Sequence, residues 1–201
     1  MTTRFTSDEL RVASDPTFFY LKHQVTQKVA GQLGKLHRAL RQTVEAQAAA
    51  FPAGWDERPG KISRGENYRL LPYLILDYPR LFRHDTTFAY RTMFWWGHGF
   101  SCTLHLQGVF LDQIRPVLQR RLLSRAEPDW WVCVHDSPWE YHFEDDNYQR
   151  LTALPDARRE ALVAQGAFLK LSRRLPLEAV DQLPDFGVAT FQEFITLWAK
   201  P

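Results

Sequence analysis

Residues 89–107 read AYRTMFWWGHGFSCTLHLQ, and this stretch decides the fold. Apolar and polar residues alternate on both sides of Gly97-His98-Gly99, which is typical of strands whose successive side chains point to opposite faces. Two strands, at 89–96 and 100–107, and the three-residue turn between them predict a β-hairpin. The loop length fixes the register of the pairing, and Trp96 is expected to face Phe100.

This register divides the hairpin into two faces. One face is nearly all apolar and pairs Trp96 with Phe100, Phe94 with Cys102, Thr92 with Leu104 and Tyr90 with Leu106. The other face is mixed and pairs Trp95 with Ser101, Met93 with Thr103, Arg91 with His105 and Ala89 with Gln107. Antiparallel sheets that rest one face on a core show this division. We therefore expect the apolar face to pack on helices and the mixed face to stay open.

Helical patterns flank the hairpin. Asp15-Pro16 predicts a helix start, because a capping carboxylate precedes a proline at the first helical position. The apolar residues that follow recur at steps of three and four, at Phe18, Leu21, Val25, Val29, Leu33, Leu36, Leu40 and Val44. Gly31 and Gly34 predict a bend or a break in this helix. Further helices are expected at 111–123, 156–164 and 190–199, with a helical turn at 177–183.

The rest of the chain supplies the other strands, which we expect at 71–78, 130–135, 139–143 and 167–175. Residues 52–68 are rich in proline and glycine and predict a loop. Residues 1–201 contain no repeat and no linker-like stretch. We therefore predict a single α+β domain, an antiparallel β-sheet with one face packed by helices, including a long N-terminal helix and a C-terminal helix.

Composition excludes several classes of protein. Lys and Arg number 25 and Asp and Glu 23, a net charge of +2, which makes nucleic acid an unlikely partner. Two cysteines exclude a disulfide framework, and we expect both to be reduced and buried. The first residues have no signal-peptide pattern, and no apolar run is long enough for a membrane span. We therefore expect a cytoplasmic protein without membrane partners, and no motif points to a cofactor.

Three stretches of the chain follow one another in an order seen elsewhere. They are the long early helix, residues 68–74 (YRLLPYL) before the aromatic strands, and residues 167–176 (AFLKLSRRLP) before an acidic helical turn and an aromatic final helix. This order resembles the YktB-like bacterial family of unknown function. The resemblance implies a compact α+β fold and carries no activity and no catalytic residues.

The mixed sheet face offers one candidate site. Tyr73 and Asp77 share one side of the strand at 71–78, and antiparallel pairing would bring Asp77 near Arg91, which in turn faces His105. We expect a polar row of these three side chains beside aromatic walls, as in a small-ligand pocket. The alternative is a solvated face held by cross-strand ion pairs. The candidate ligand-binding residues are Arg64, Glu66, Asn67, Tyr68, Tyr73, Asp77, Arg91, Trp95 and His105.

Two charged regions suggest other partners. Residues 127–146 hold seven acids and no Lys or Arg. Within them His135, Asp136, Glu140 and His142 could bind a metal, but we favour a charged hairpin with solvated tips and assign no metal residue. Basic residues cluster at Arg115, Arg120, Arg121, Arg125, Arg173 and Arg174. They could bind single-stranded nucleic acid, or they could simply form solvated surfaces.

Three functions remain open. We expect the protein to bind a small molecule or peptide on the aromatic-lined sheet face. An enzyme that uses His105 as acid or base and Arg91 to hold an anion is the first alternative. A protein–protein interaction module with exposed aromatic contacts is the second. A deep pocket at Arg91 would favour ligand binding or catalysis, and an exposed apolar patch would favour a partner. The oligomeric state is left open.

Overall fold

A computed structural model describes residues 4–51, 60–124 and 129–199. Its five α-helices are α1 (Ser7–Ala13), α2 (Thr17–Ala46), α3 (Val109–Ser124), α4 (Asp156–Gln165) and α5 (Leu183–Ile195). Its strands are β1 (Lys61–Tyr68), β2 (Leu71–Phe82), β3 (Thr86–Trp95), β4 (Gly99–Gly108), β5 (Trp131–Cys133), β6 (Tyr148–Arg150) and β7 (Phe168–Leu175). Short 3₁₀ turns lie at Ala48–Ala50, Leu151–Ala153 and Leu177–Gln182.

The seven strands form one antiparallel sheet in the order β1-β2-β3-β4-β7-β5-β6. Helices α2, α3 and α5 pack on one face of this sheet, which we call the core face. The predicted α+β fold, with its long N-terminal helix and its C-terminal helix, is confirmed. The opposite side is the second face, and it carries the candidate site.

The β3–β4 hairpin has the predicted faces but a different register. Trp95 pairs with Gly99 and Phe94 with Phe100, so every partner is shifted by two residues. The turn is Trp96-Gly97-His98, in which the His98 amide donates to the Trp95 carbonyl at 3.0 Å. Gly97 and Gly99 have φ of 77° and 93°, which side-chain-bearing residues rarely adopt. A shift of two residues leaves each side chain on its predicted face, because side chains alternate with period two.

The apolar face of the hairpin lies in the main core, as predicted. Phe94, Phe100 and Cys102 are buried there against helices α2, α3 and α5. Helix α2 runs through both of its glycines, so the break considered there is absent. The buried residues of α2 lie both before and after Gly31 and Gly34, at Val29, Leu33, Leu36, Leu40 and Val44. Tertiary packing of this stripe stabilises the helix across the two glycines.

Three predicted segments differ from the structure. Residues 61–68 form edge strand β1 rather than a loop, because backbone pairing with β2 makes a strand of a polar sequence. Residues 139–143 form no strand, and β6 pairs with β5 instead. Helix α5 begins at Leu183, seven residues before the predicted start at 190, and ends at Ile195. The predicted loop residues 52–59 and the charged residues Arg125 and Glu127 lie outside the described part of the chain.

Both cysteines, Cys102 and Cys133, are free and buried, as predicted. Within the described ranges, no helix combines the length and the apolar character that a membrane crossing requires.

Candidate functional site

The second face is a polar surface built by lateral rows of side chains that run across the strands. In one row Asp77 pairs with Arg91, Arg91 with Thr103, and Thr103 with Ser172. In the next row Ala89 pairs with His105, and His105 with Lys170. The expected neighbour relation of Arg91 and His105 is therefore wrong, because the hairpin register places the two residues in adjacent rows.

The second face is not open, contrary to the sequence-based expectation. Residues 134–147, which we call the cover segment, connect β5 to β6 without regular secondary structure and lie over the face. Thr103, His105, Lys170 and Ser172 are all buried beneath it or between the strands. The segment was expected to contain a strand that extends the sheet. It instead closes the sheet face from above.

The predicted pair of Asp77 and Arg91 is present. Arg91 donates from Nε to Asp77 Oδ1 at 2.7 Å and from Nη2 to Oδ2 at 2.8 Å, a two-pronged ion pair. Burial is the largest single influence and opposes the charge of the guanidinium, but hydrogen bonding to Asp77 and the nearby acidic groups together outweigh it and raise the pKa of Arg91. The pair is largely shielded from water, so its geometry is fixed.

Lys170 is the central charge of the second face. Its side chain is 0% exposed, and Nζ donates to the backbone carbonyls of Pro138 at 2.8 Å and Glu140 at 2.6 Å. Among the described residues no carboxylate forms an ion pair with it. Burial lowers the pKa of Lys170 to about 7. The ammonium thus donates to neutral carbonyl groups and forms no ion pair, and the nearby Cys133 and Glu140 only partly offset the effect of burial.

His105 lies beside Lys170 in a closed environment. It is 2% exposed, its ring contacts Trp139 and Phe168 edge-on, and its Nε2 has no hydrogen-bond partner among the described residues. Burial, with the nearby Lys170 and Arg91 charges, lowers the pKa of His105 to about 3. The ring is neutral at physiological pH. His105 pairs with Ala89 and Lys170 rather than with Arg91.

Tyr141 of the cover segment contacts two cations, the partly buried Arg91 and the buried Lys170. The Arg91 Cζ is 4.8 Å and the Lys170 Nζ is 4.0 Å from the centroid of its ring. The ring also belongs to a small apolar cluster with Ile75, Met93 and Trp95, against which the predicted residues Tyr68 and Tyr73 pack. The aromatic walls expected beside the polar row are therefore present, and the Tyr141 ring fills the space between them.

The Tyr68 hydroxyl holds the cover segment from the side of β1. It accepts from the backbone amides of Tyr141 at 2.7 Å and His142 at 3.2 Å, and it donates to Glu140 Oε2 at 2.8 Å. Burial raises the pKa of Tyr68 to about 12, so the hydroxyl keeps its proton. Two side chains, Tyr68 and Lys170, thus fasten the same stretch of backbone to the sheet.

The turn between β1 and β2 brings a third anchor. Arg69 and Leu70 have φ of 49° and 66°, which is a strained conformation for residues other than glycine. The Arg69 guanidinium donates from Nη1 to Glu144 at 3.1 Å and contacts His142 Nε2 from Nη2 at 3.1 Å. This turn therefore places the Arg69 guanidinium against the acidic end of the cover segment, at Glu144.

The histidines considered as metal ligands lie in different surroundings. The His135 Nδ1 accepts from the Ser137 amide at 2.9 Å. His142 is buried, and its ring nitrogens contact Glu140 at 3.3 Å and Asp146 at 3.0 Å. His142, Glu144 and Asp146 bring ligand atoms within 4.8 Å of one another. Arg69 contacts the first two, so one positive charge already lies beside this acidic group.

The remaining candidate residues lie apart from this centre. Arg64 pairs with Leu74 of the core face, so Arg64 and Glu66 point away from the second face. They line a groove of about 200 Å³ between α2 and β1–β2, where Lys22 forms a 2.6 Å ion pair with Glu66. Asn67 is exposed at the irregular end of β1. The second face therefore brings together Tyr68, Tyr73, Asp77, Arg91, Trp95 and His105, and leaves the other three outside.

The sequence-based prediction missed Lys170 and Tyr141. Lys170 stands in the strand pattern FLKLSRRL, in which a lysine between leucines indicates an outward, solvated position. The signal that could have found it is the pairing of β7 with β4, which places Lys170 next to His105. Tyr141 lies in a segment without periodicity, so no pattern indicates which surface it covers.

Comparison with known proteins adds no relative. No family model, no curated protein and no solved structure matches the chain. The resemblance to the YktB-like family therefore stays a prediction.

Proposed function

We propose that this protein binds a small planar anion on the second face of its sheet, in the space that the Tyr141 ring fills. An aromatic carboxylate is the ligand class that fits best. The cytoplasm, expected from the sequence, is the compartment in which we place this binding. The predicted ligand-binding function is retained, with Lys170 and Arg91 as the central residues.

The observation that carries the proposal is the contact of the Tyr141 ring with two cations, the partly buried Arg91 and the buried Lys170. Arg91 is paired with Asp77, whereas the Lys170 ammonium donates to neutral carbonyls and otherwise contacts the rings of Tyr141 and Tyr148. Burying an ammonium without an opposite charge is costly, and an anion placed beside it would remove that cost. A planar anion between these groups would keep the cation–ring contacts and add the missing negative charge.

The surroundings support an aromatic ligand. Tyr68 and Trp95 contact each other with ring centroids 5.1 Å apart, and Tyr68 lies 6.5 Å from Tyr141. Met93 and Ile75 complete the apolar wall. Ligand pockets combine such walls with a few placed polar groups. The unpaired Nε2 of His105 is an additional polar group close to the Lys170 ammonium.

Ligand entry requires the cover segment to move. The segment spans 14 residues without helix or strand, and its anchors on the sheet include the Tyr68 hydroxyl and the Lys170 ammonium. Long irregular segments over a site often act as lids. In this proposal the ligand anion replaces the Pro138 and Glu140 carbonyls as the partner of the Lys170 ammonium. The Tyr141 ring then moves out of the space that the ligand occupies.

The test is calorimetric titration of the full chain with benzoate at pH 6.5, with benzyl alcohol and benzylamine as uncharged and cationic analogues. Wild-type protein is expected to bind benzoate at least tenfold more tightly than either analogue. Lys170→Met is expected to lose that preference, whereas Lys28→Met, a change of an exposed lysine on α2, is expected to keep it. Equal affinity for all three compounds, or no benzoate binding by wild type, contradicts the proposal.

Tyr141→Ala supplies an independent test. Removing the ring that competes for the site is expected to strengthen benzoate binding by at least tenfold, and Tyr20→Ala, an exposed tyrosine, is expected to leave it unchanged. A Tyr141→Ala protein that binds benzyl alcohol as well as benzoate would indicate a plain apolar cavity rather than an anion site.

A further inference from the structure

A second feature, far from the cover segment, is an apolar arm at the N-terminal end of the described chain. We define the arm as residues 5–28, which comprise α1 and the first turns of α2. Its exposed large hydrophobic residues are Phe5, Leu10, Val12, Phe18, Phe19, Tyr20, Leu21 and Val25. Eight such residues in 24 positions exceed the scattered apolar residues that a monomer surface ordinarily shows.

The arm continues the apolar stripe by which α2 packs on the sheet. The stripe is buried from Val29 to Val44, but its first three members, Phe18, Leu21 and Val25, are exposed. The spacing of three and four does not change at Val29, so the sequence keeps a contact-forming pattern where these side chains are exposed. An apolar stripe that continues past the buried core onto an exposed part of the same helix indicates a surface that binds another protein chain.

Residues 18–21 are apolar on every side of the helix. Phe18, Phe19, Tyr20 and Leu21 are consecutive and are 52–68% exposed. Successive helical residues point about 100° apart, so these four side chains encircle the axis. A helix that is apolar all round is normally buried. One flat partner surface would cover only part of this turn, whereas a second pair of helices could surround it.

The exposed area matches what a dimer needs. The four aromatic rings of the arm are 52–68% exposed, and at about 200 Å² each they present roughly 500 Å² of aromatic surface. The four aliphatic residues add to that. A stable interface of standard size takes about 800 Å² from each partner. Two copies of this arm can therefore supply an interface of that size from apolar residues alone.

The charges of the arm are self-complementary in an antiparallel arrangement. If Phe18 of one copy faces Val25 of the other, the same register places Asp15 opposite Lys28 and Leu21 close to the two-fold axis. Asp15 precedes the helix and Lys28 lies at the inner end of the arm, so both ion pairs would form symmetrically. A two-fold interface requires such a surface, in which each contact occurs twice.

We propose that the arm is the interface of a homodimer, in which the α1–α2 arms of two copies pack antiparallel around a two-fold axis near Leu21. The occupant is a second copy of this chain. The arm shares no residue with the second face, so this inference does not depend on the proposed ligand site.

Sedimentation equilibrium of the full chain over a hundredfold range of concentration tests the proposal. Wild type is expected to sediment as a dimer of the 23.6 kDa chain, and the double variant Phe18→Asp/Leu21→Asp as a monomer with unchanged circular dichroism. Val109→Asp alters an equally exposed apolar residue on α3 and is expected to leave the dimer intact. A monomeric wild type overturns the proposal, as does a dimer that survives the double variant.

Disulfide trapping then tests the arrangement. Leu21→Cys is expected to form a cross-linked dimer on mild oxidation, because the two positions meet near the axis. Gln27→Cys is exposed on another side of α2 and is expected to stay uncross-linked. The native cysteines are buried and free, so they do not compete. Equal cross-linking of both variants, or cross-linking of Gln27→Cys alone, contradicts this geometry. Binding of wild-type monomer to phosphatidylcholine vesicles through the arm also counts against the dimer.

Discussion

At the scale of single residues, the second face shows how far alternation carries a prediction. Period two places Asp77, Arg91 and Trp95 on one side of the sheet, and the structure has them there. The ion pair of Asp77 and Arg91 was predictable because β2 and β3 follow each other along the chain. Lys170 was not, because its partners come from the cover segment and from a strand more than 60 residues earlier.

The Arg69-Leu70 turn gives a prediction for one residue. Leu70 has a φ of 66° and is 86% exposed, so its side chain gains little from burial while its backbone is strained. We expect Leu70→Gly to raise the free energy of unfolding by about 1 kcal/mol, because glycine adopts this conformation without the Cβ clash. Urea denaturation measures this change. A loss of stability would show that the exposed leucine makes contacts that outweigh the strain.

At the scale of elements, long periodic segments were predicted well and short polar ones were not. Helix α2 and the β3–β4 hairpin carry strong periodicity, and both are present. Strand β1, with the sequence KISRGENY, has no apolar alternation because it is a largely exposed edge strand that pairs on one side only. Helix α1 is not stabilised by burial. It begins with a capping box between Thr6 and Glu9, a local signal that can be read from the sequence.

The packing of α2 on α5 leads to a matched pair of glycine substitutions. A Cβ at Gly187 of α5 would lie 2.6 Å from Leu36 Cδ1 of α2, so Gly187→Ala is expected to lower the free energy of unfolding by about 1–3 kcal/mol. A Cβ at Gly31 meets nothing within 4 Å, and Gly31→Ala is expected to raise it by about 1 kcal/mol.

Thermal or urea unfolding of both variants decides between packing and helix propensity. Both sites are helical, so propensity alone predicts stabilisation in each case. If Gly187→Ala is as stabilising as Gly31→Ala, the close approach of the two helices is not the controlling interaction.

At the scale of the whole molecule, the main uncertainty left by the sequence was which surfaces are free. Binary patterning separates core from non-core, but it does not show that a 14-residue irregular segment closes the second face. It also does not show that the first turns of α2 leave their apolar side chains exposed. Both facts depend on contacts between distant parts of the chain. The fold class followed from the pattern, and the location of accessible surface did not.

The buried lysine couples the stability of the whole protein to pH. Burial lowers the pKa of Lys170 from 10.5 to about 7, so between these values the unfolded chain binds a proton that the folded chain lacks. The free energy of unfolding therefore receives a contribution that rises with pH above about 7, by up to about 1.4 kcal/mol per pH unit. Below pH 7 both states are protonated, and this contribution stays constant.

Urea denaturation at pH 7.0, 7.75 and 8.5 measures the slope. We expect Lys170→Met to remove this rise relative to wild type, whereas Lys28→Met keeps it. Identical slopes in wild type and Lys170→Met would mean that the lysine titrates at its ordinary pKa and that water reaches it.

The strand order has a consequence for how the protein is made. Strand β7 lies between β4 and β5, although it follows both of them along the chain. During synthesis on a ribosome, the pair β5–β6 has no neighbour to join until residues 168–175 have emerged. Until then Lys170 is not available to donate its hydrogen bonds to the cover segment. A nascent chain stalled before that point would contain the β1–β4 meander with the β4 edge unpaired. That unpaired edge would be the surface exposed to chaperones.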